Sequence, residues 1–333
     1  MSNIYFTWNG LGDHIVLFGA AYNWYLRTGE KLTIGTSNLV YEKIFSYAKF
    51  SDVCSYDKFL PGKQQETLNN LNSNNYNPVF VNASGFKYLA PSYKNNVTTW
   101  PSKHLITVIC EKLGLYGNVK IEIPLIDVSS KLEIETPLDY VCIMTGGLQN
   151  YKAILPSLSQ QIIDNYKSKF KFVQIGTLRD AKLENVIDLR GTSLIETINI
   201  LKKARFLITG TGGLVHLAAA CNCKAFVLQT GGEPQILTEY SLHKYVQAVD
   251  SCGLCAKNLR DPQHQPCFSY YKCIRNLNFT TVNEELKKQL EYLLSDDIPE
   301  PLIQVADSGK KANGLEDYMH QRKTFDNPSQ YFN

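Results

Sequence analysis

The chain has 333 residues, 44 % of them hydrophobic and 20 % charged; this balance excludes an intrinsically disordered chain, and the length suits two domains that each bury a core. Thirty-four Lys and Arg against 31 Asp and Glu leave a formal net charge of +3, too small to argue for a nucleic-acid partner. No stretch approaches the roughly 20 apolar residues of a membrane span, and the start Met1-Ser2-Asn3-Ile4-Tyr5 lacks the layout of a signal peptide, so a cytoplasmic protein is expected.

Ile4-Tyr5-Phe6-Thr7 is a β-prone run that meets Gly10-Leu11-Gly12-Asp13, after which Ile15, Leu17, Phe18, Ala21, Trp24 and Tyr25 recur at helical spacing. Strand, glycine turn and helix follow one another. Residues 31–34 read as the next strand, 41–48 as a helix and 78–81 as another strand. The Asn-rich segment 69–77 has no apolar period and reads as a surface loop. Strands alternating with helices predict a parallel sheet covered on both faces.

The pattern breaks over residues 127–138 and starts again. Tyr140-Val141-Cys142-Ile143-Met144 runs into Thr145-Gly146-Gly147, and Phe172-Val173-Gln174-Ile175 into Gly176. Residues 193–203 predict a helix, 206–208 a strand, 214–220 a helix and 225–228 a strand. The string Thr281-Val282-Asn283-Glu284 reads as a capping box before Leu286, Leu290, Leu293 and Leu294. Three parts result: residues 1–130, residues 139–294, and a polar segment 295–333 that is either a tail or a strap returning to the first half, with Tyr318, Phe325, Tyr331 and Phe332 to bury.

In doubly wound sheets the ligand lies beyond the carboxyl ends of the strands, where backbone amides and helix N-termini meet an anion. Two such halves facing one another would hold a phosphate-bearing ligand between them. A nicotinamide fingerprint fails because the series Gly10, Gly12 ends on Ile15, and no G-x-x-x-x-G-K-[ST] string occurs. At Gly10-Leu11-Gly12-Asp13 the carboxylate is either a helix cap or a general base. At Thr209-Gly210-Thr211-Gly212-Gly213-Leu214-Val215-His216, amides, a hydroxyl and an imidazole share a strand end. His216 there is either a packed helical histidine or a ligand for an anion. With Lys152 beyond the Thr145-Gly146-Gly147 turn, the set fits a diphosphate leaving group.

Cys252-Gly253-Leu254-Cys255, Cys267 and Cys273 form a C-x₂-C-x₁₁-C-x₅-C set. Four thiolates suit a tetrahedral structural zinc or iron; four reduced thiols are the alternative. Of the nine cysteines, Cys54, Cys110, Cys142, Cys221 and Cys223 read as packed thiols.

Gly10-Leu11-Gly12-Asp13, then Asp188-Leu189-Arg190-Gly191-Thr192-Ser193-Leu194, His216-Leu217-Ala218-Ala219-Ala220 and Gly231-Gly232-Glu233-Pro234 resemble glycosyltransferase family 9 in order and spacing. The family contains the ADP-heptose heptosyltransferases of lipopolysaccharide assembly and autotransporter heptosyltransferases. The resemblance implies an α/β fold of GT-B type: two facing Rossmann-like domains with parallel sheets, the N-terminal one for the acceptor and the C-terminal one for a nucleotide sugar. It implies inverting transfer of a heptose or related sugar to a hydroxyl of a bacterial surface glycan, glycolipid or protein, with no divalent cation required at the phosphates. Any membrane contact is then peripheral, at the inner face of the inner membrane.

On this resemblance Asp13 matches the catalytic base, Lys152 the lysine facing the leaving phosphates, and Asp180 an acid directed at the ribose. The donor set is Gly10, Gly12, Thr145, Gly146, Gly147, Lys152, Asp180, Thr211, Gly212, Gly213, His216 and Glu233. The cysteine set is similar to the iron-holding cysteines of the autotransporter enzymes. One departure stands out: Thr211 and Gly212 occupy the places of an aspartate and a Ser or Thr. The alternative function is therefore a non-catalytic nucleotide-sugar or glycan-binding protein that retains the fold.

Overall fold

The computed structural model describes residues 2–6, 10–36, 41, 48–55, 76–81, 104–120, 134–146, 152–230, 235–247, 272–299 and 302–305. The chain divides into two units, residues 1–126 with 302–333, and residues 127–301.

In the first unit, strand β1 (Ser2–Phe6) leads to helix α1 (Leu11–Thr28). Gly10 starts the helix with extended backbone, and Gly29 stops it in the left-handed region at φ 73° while its amide donates to the Tyr25 carbonyl at 2.9 Å. The helix buries His14, Ile15, Leu17, Phe18 and Ala21, whereas Tyr25 and Leu26 stay exposed. Strands β2 (Leu32–Thr36), β3 (Ser51–Ser55) and β4 (Tyr76–Phe80) complete a parallel sheet of order β3-β2-β1-β4.

Strand β4 begins two residues before the expected start, because Tyr76 and Asn77 already pair with Ser2 and Asn3. Among the described residues β4 is an edge strand, a place where Pro78 is tolerated because a missing amide donor costs no ladder bond on an open side. Of the segments expected as a helix over 41–48 and a loop over 69–77, residues 42–47 and 69–75 lie outside the described residues. Helix α2 (Leu105–Lys112) and strand β5 (Gly117–Lys120) follow. The buried Asn23 side chain closes on the Lys120 peptide, donating to its carbonyl and accepting from its amide at 2.7 Å each.

The second unit carries strands β6 (Tyr140–Ile143), β7 (Lys171–Gln174), β8 (Ile187–Asp188), β9 (Leu207–Gly210), β10 (Ala225–Gln229) and β11 (His243–Gln247). They form a parallel six-stranded sheet of order β11-β10-β9-β6-β7-β8. The chain first winds from β6 outward to β8, then returns to the other side of β6 with β9. The switch point of this doubly wound sheet is therefore between β6 and β9.

Helix α3 (Pro156–Tyr166) connects β6 to β7, α4 (Leu194–Lys203) connects β8 to β9, and α5 (Gly213–Ala220) connects β9 to β10. Sheet residues Val141, Ile143, Ile208, Phe226 and Leu228 pack with Leu158, Ile162 and Ile163 of α3. Every residue of β6 and β10 is buried, as parallel strands covered on both faces require.

After the short helix α6 (Lys272–Arg275), helix α7 (Phe279–Leu294) closes the core with Val282, Leu286 and Leu293. It starts earlier than the expected capping box at Thr281, because the Asn278 side chain accepts from the Thr281 amide at 3.0 Å and makes Asn278 the cap. Its far end is held by the buried Lys224, whose Nζ donates to the Tyr292 and Ser295 carbonyls at 2.7 and 2.6 Å. The chain returns to the first unit at Leu302, where β12 (Leu302–Val305) pairs antiparallel with β5. The aromatic residues offered for a strap, Tyr318 to Phe332, lie outside the described residues.

Candidate functional site

Two strand ends meet at the switch point of the second unit. Strand β6 gives way to Thr145 and Gly146, and β9 ends on Gly210 before Thr211 and Gly212. The neighbouring strands are joined to their ends, the Met144 amide donating to the Ile208 carbonyl at 3.0 Å. The returning segment 152–154 is tied to the same place by the Ile154 amide, which donates to the Thr145 carbonyl at 3.0 Å. A Cβ on Gly210 would lie 2.4 Å from the Lys152 carbonyl oxygen. Only glycine lets the backbone of Lys152 cross here. The fold thus brings Lys152 to the Gly210 turn.

Asp180 joins the site from β7. Its Oδ2 accepts from the Thr177 amide at 2.7 Å, and a Cβ on Gly146 would lie 1.9 Å from its Oδ1. The carboxylate therefore lies directly against the turn that follows β6. Two residues support its loop. Gln174, fully buried at the end of β7, donates to the Ala181 carbonyl at 2.7 Å and accepts from the Leu183 amide at 2.9 Å. Arg190 grips Asp188 through Nε and Nη2, both at 2.8 Å, and donates from Nη1 to the Asp180 carbonyl. Hydrogen bonds from the Arg190 guanidinium hold the Asp188 carboxyl well below the usual range.

The hydroxyl oxygens of Thr145, Thr209 and Thr211 are buried without a hydrogen-bond partner. A buried hydroxyl left unpaired costs about 1–3 kcal/mol, so three at the ends of two adjacent strands are a concentrated cost. Such groups mark either strain or a polar ligand.

Gly212, at φ 146°, starts helix α5, and His216 is buried in its first turn. Its Nδ1 is 2.5 Å from the Tyr240 hydroxyl, and the two rings meet edge to face. Next to them, His243 accepts from the Ala225 amide at Nδ1 and donates from Nε2 to the Val215 carbonyl at 3.0 Å. Burial lowers the His243 pKa to about 4, so it is neutral at pH 7.

In the first unit Asp13 occupies the first turn of α1, where the helix dipole favours a carboxylate. The cap position itself belongs to Gly10, which has no side chain to donate or accept. The Asp13 carboxylate folds over that glycine: a Cβ on Gly10 would lie 2.7 Å from Oδ2. Beneath it the fully buried His14 places Nδ1 2.9 Å from the Gly10 carbonyl, and its ring lies 4.7 Å from that of Tyr41. Burial lowers the His14 pKa to about 4, offset in part by that carbonyl. Burial and then the charge of Asp13 raise the Tyr41 pKa.

Of the residues singled out from the sequence, Thr145, Gly146, Lys152, Asp180, Thr211, Gly212, Gly213 and His216 fall on the strand ends and connecting segments of the second unit, and Gly10, Gly12 and Asp13 at the head of α1. Gly147, Glu233, Cys252, Cys255 and Cys267 lie outside the described residues. Cys273 is buried in α6. Among the described residues no group of three or more Cys, His, Asp or Glu is placed to hold a metal. Cys110, Cys142, Cys221 and Cys223 are buried, and burial raises the pKa of each thiol. Gln174 and Tyr240 were not singled out. A glutamine inside an apolar strand was a usable signal for the first; nothing local marks Tyr240, 24 residues from the histidine it meets.

The two parallel-sheet units define an α/β protein of GT-B type with two Rossmann-like domains, the fold of the family 9 heptosyltransferases. The chain is similar to the iron-containing dodecameric glycosyltransferase TibC of enterotoxigenic Escherichia coli, with a TM-score of 0.64 and 18 % identity over 88 % of this chain and 76 % of TibC. It is also similar to a family 9 glycosyltransferase of Veillonella parvula (TM-score 0.62, 15 % identity, 88 % and 97 % of the two chains). For E. coli heptosyltransferase WaaC, solved with ADP, the values are 0.57, 14 %, 88 % and 99 %. TibC has been solved in complex with ADP-D-β-D-heptose. No protein-family model and no curated protein matches the chain.

Proposed function

We propose that this chain is an inverting glycosyltransferase that moves a heptose or related sugar from a nucleotide-diphosphate donor to a hydroxyl of a surface glycan, glycolipid or protein, in the cytoplasm. The observation that carries the reading is the switch point of the second unit. There Lys152 crosses Gly210, and three buried hydroxyls without partners stand at adjacent strand ends. A donor diphosphate supplies the acceptors that such hydroxyls and a lysine need.

In this reading the acceptor oxygen attacks the anomeric carbon, the bond from that carbon to the phosphate oxygen breaks, and its electron pair leaves with the nucleoside diphosphate. Asp13 takes the acceptor proton. Lys152 and His216 face the charge that builds on the departing diphosphate, and Asp180 the ribose. Thr211 offers a neutral hydroxyl at the donor and thereby bears on which sugar is accepted.

The cysteine set Cys252, Cys255, Cys267 and Cys273 is proposed to hold one structural zinc or iron: four thiolates are the donor set such an ion takes, and the fold neighbour TibC is described as iron-containing. Purified protein should contain about one equivalent of metal. Replacing any one cysteine with serine should lower metal content and thermal stability together, while catalysis per folded molecule survives. Metal-free protein of full stability contradicts the site.

The Thr211-Gly212 departure favours a second reading, a binding protein without turnover. Release of nucleoside diphosphate from a panel of nucleotide sugars, ADP-heptose first, separates the two. Turnover supports the transferase; binding without turnover supports the second reading.

A further inference from the structure

Gln174 follows the buried apolar residues Phe172 and Val173 at the end of β7 and is fully buried itself. A glutamine in such a place has a carbonyl oxygen and an amide nitrogen to satisfy, and one loop meets both. Nε2 donates to the Ala181 carbonyl at 2.7 Å, and Oε1 accepts from the Leu183 amide at 2.9 Å. A backbone amide can only donate and a carbonyl can only accept, so these partners fix which end of the carboxamide faces which.

The loop gripped in this way is the one that carries Asp180. It turns back on itself: the Asp180 amide donates to the Thr177 carbonyl at 3.0 Å, and the Thr177 amide donates to Asp180 Oδ2 at 2.7 Å. The carboxylate then lies over the glycines that follow β6 and β7, where a Cβ on Gly146 would collide with Oδ1 and a Cβ on Gly176 with Oδ2. Arg190 adds a bond to the Asp180 carbonyl, and the chain just beyond Asp180 hangs on Gln174 at Ala181 and Leu183. Without the carboxamide, a buried carbonyl and a buried amide lose their partners, and the loop regains them by moving toward water. The carboxylate moves with it.

We propose that Gln174 is a positioning residue that holds the Asp180 carboxylate over the Gly146 and Gly176 turns and thereby sets a preference for a donor nucleotide that carries its ribose hydroxyls. The preference rests on the transferase reading, in which Asp180 faces the ribose. The positioning stands on the hydrogen bonds of the loop.

Hydrogen exchange of the full-length protein, followed by NMR, reads the positioning without any ligand, because the Thr177 amide is bonded to the Asp180 carboxylate and the Leu183 amide to Gln174. Gln174→Met keeps the length of the side chain and removes its polar atoms; exchange at Thr177 should quicken by about tenfold or more as the loop opens. Calorimetric titration then compares ADP with dideoxy-ADP, which lacks both ribose hydroxyls. The wild type should prefer ADP by about tenfold, the scale of a hydrogen bond to a charged group, and Gln174→Met should bind the two alike. Asp180→Ala should lose the same preference, and the double variant should lose no more than either alone, a coupling that general loosening of the unit does not produce. Unchanged Thr177 exchange in a folded Gln174→Met overturns the proposal, as does a preference that Gln174→Met keeps and Asp180→Ala loses. A wild type whose Thr177 and Leu183 amides exchange as fast as unbonded ones overturns it whether or not the variant folds. Faster Thr177 exchange in Gln174→Met, with no preference for ADP in the wild type, upholds the positioning and counts against the assignment of Asp180 to the ribose.

Discussion

The two units repeat one device, a parallel strand, a glycine turn and a helix, and equip it with different chemistry. After β1, the turn at Gly10 carries a carboxylate, Asp13, above a buried neutral His14. After β6 and β9, the turns at Gly146 and Gly210 carry hydroxyls, a lysine and a histidine, and the nearby carboxylate of Asp180 is tied down by the Thr177 amide. On the proposed reading, a glycine turn says where a ligand is met, and the residues after it say what is done there. The first turn suits removal of a proton; the second suits reception of an anion.

Removing the carboxylate of the first turn should have the largest effect. Asp13→Ala should keep the fold and cut sugar transfer by about two to four orders of magnitude, the scale of a lost general base. Steady-state kinetics with a saturating donor checks this, and wild-type turnover in Asp13→Asn would return Asp13 to the helix dipole. In the second turn, Lys152→Ala should weaken the donor by about ten- to hundredfold, because a charge-assisted bond to phosphate is worth about 1.5–3 kcal/mol. Competitive inhibition by the nucleoside diphosphate should weaken in parallel. Unchanged inhibition would place the phosphates elsewhere.

A further effect concerns what the units share. His14 in the first and His243 in the second are both depressed by burial, from an ordinary 6.5 to about 4. With the folded value below the unfolded one, the unfolded chain takes up the proton first. The stability each neutral histidine contributes is complete above pH 6.5 and is lost as pH falls toward 4. At pH 5 the loss is about 2 kcal/mol for each. Urea unfolding at pH 7 and pH 5 reads the sum, and His243→Phe should remove the share of the second unit. A midpoint that does not move between these pH values contradicts the burial of both rings.

How much was legible follows the same division between local and distant causes. Strands β6, β7, β9 and β10 were readable as continuous apolar runs because both faces of a parallel sheet are buried. Strands β3, β5, β8, β11 and β12 were missed. Ser51-Asp52-Val53-Cys54-Ser55 has no apolar period, β8 is two residues long, and the pairing of Leu302–Val305 with β5 is a partner choice that no local pattern announces. The start of α7 was misplaced because Asn278, and not Thr281, supplies the capping oxygen.

At the candidate site, glycines following apolar runs pointed to the turns, and the order along the chain put Lys152 and His216 after them. The supports were not. Gln174 works through backbone groups of the Ala181 and Leu183 loop, and Tyr240 through a ring brought to it by the fold. The unpaired state of the Thr145, Thr209 and Thr211 hydroxyls exists only once the strands are packed.

The central claim is that a nucleoside diphosphate is received at the switch point of the second unit. Methyl NMR of threonine-labelled protein titrated with ADP-heptose or ADP tests it most directly. The account predicts saturable shifts at Thr145, Thr209 and Thr211, with Thr28 and Thr107 of the first unit unmoved by ADP. Saturable binding that leaves all three switch-point threonines unmoved would contradict it.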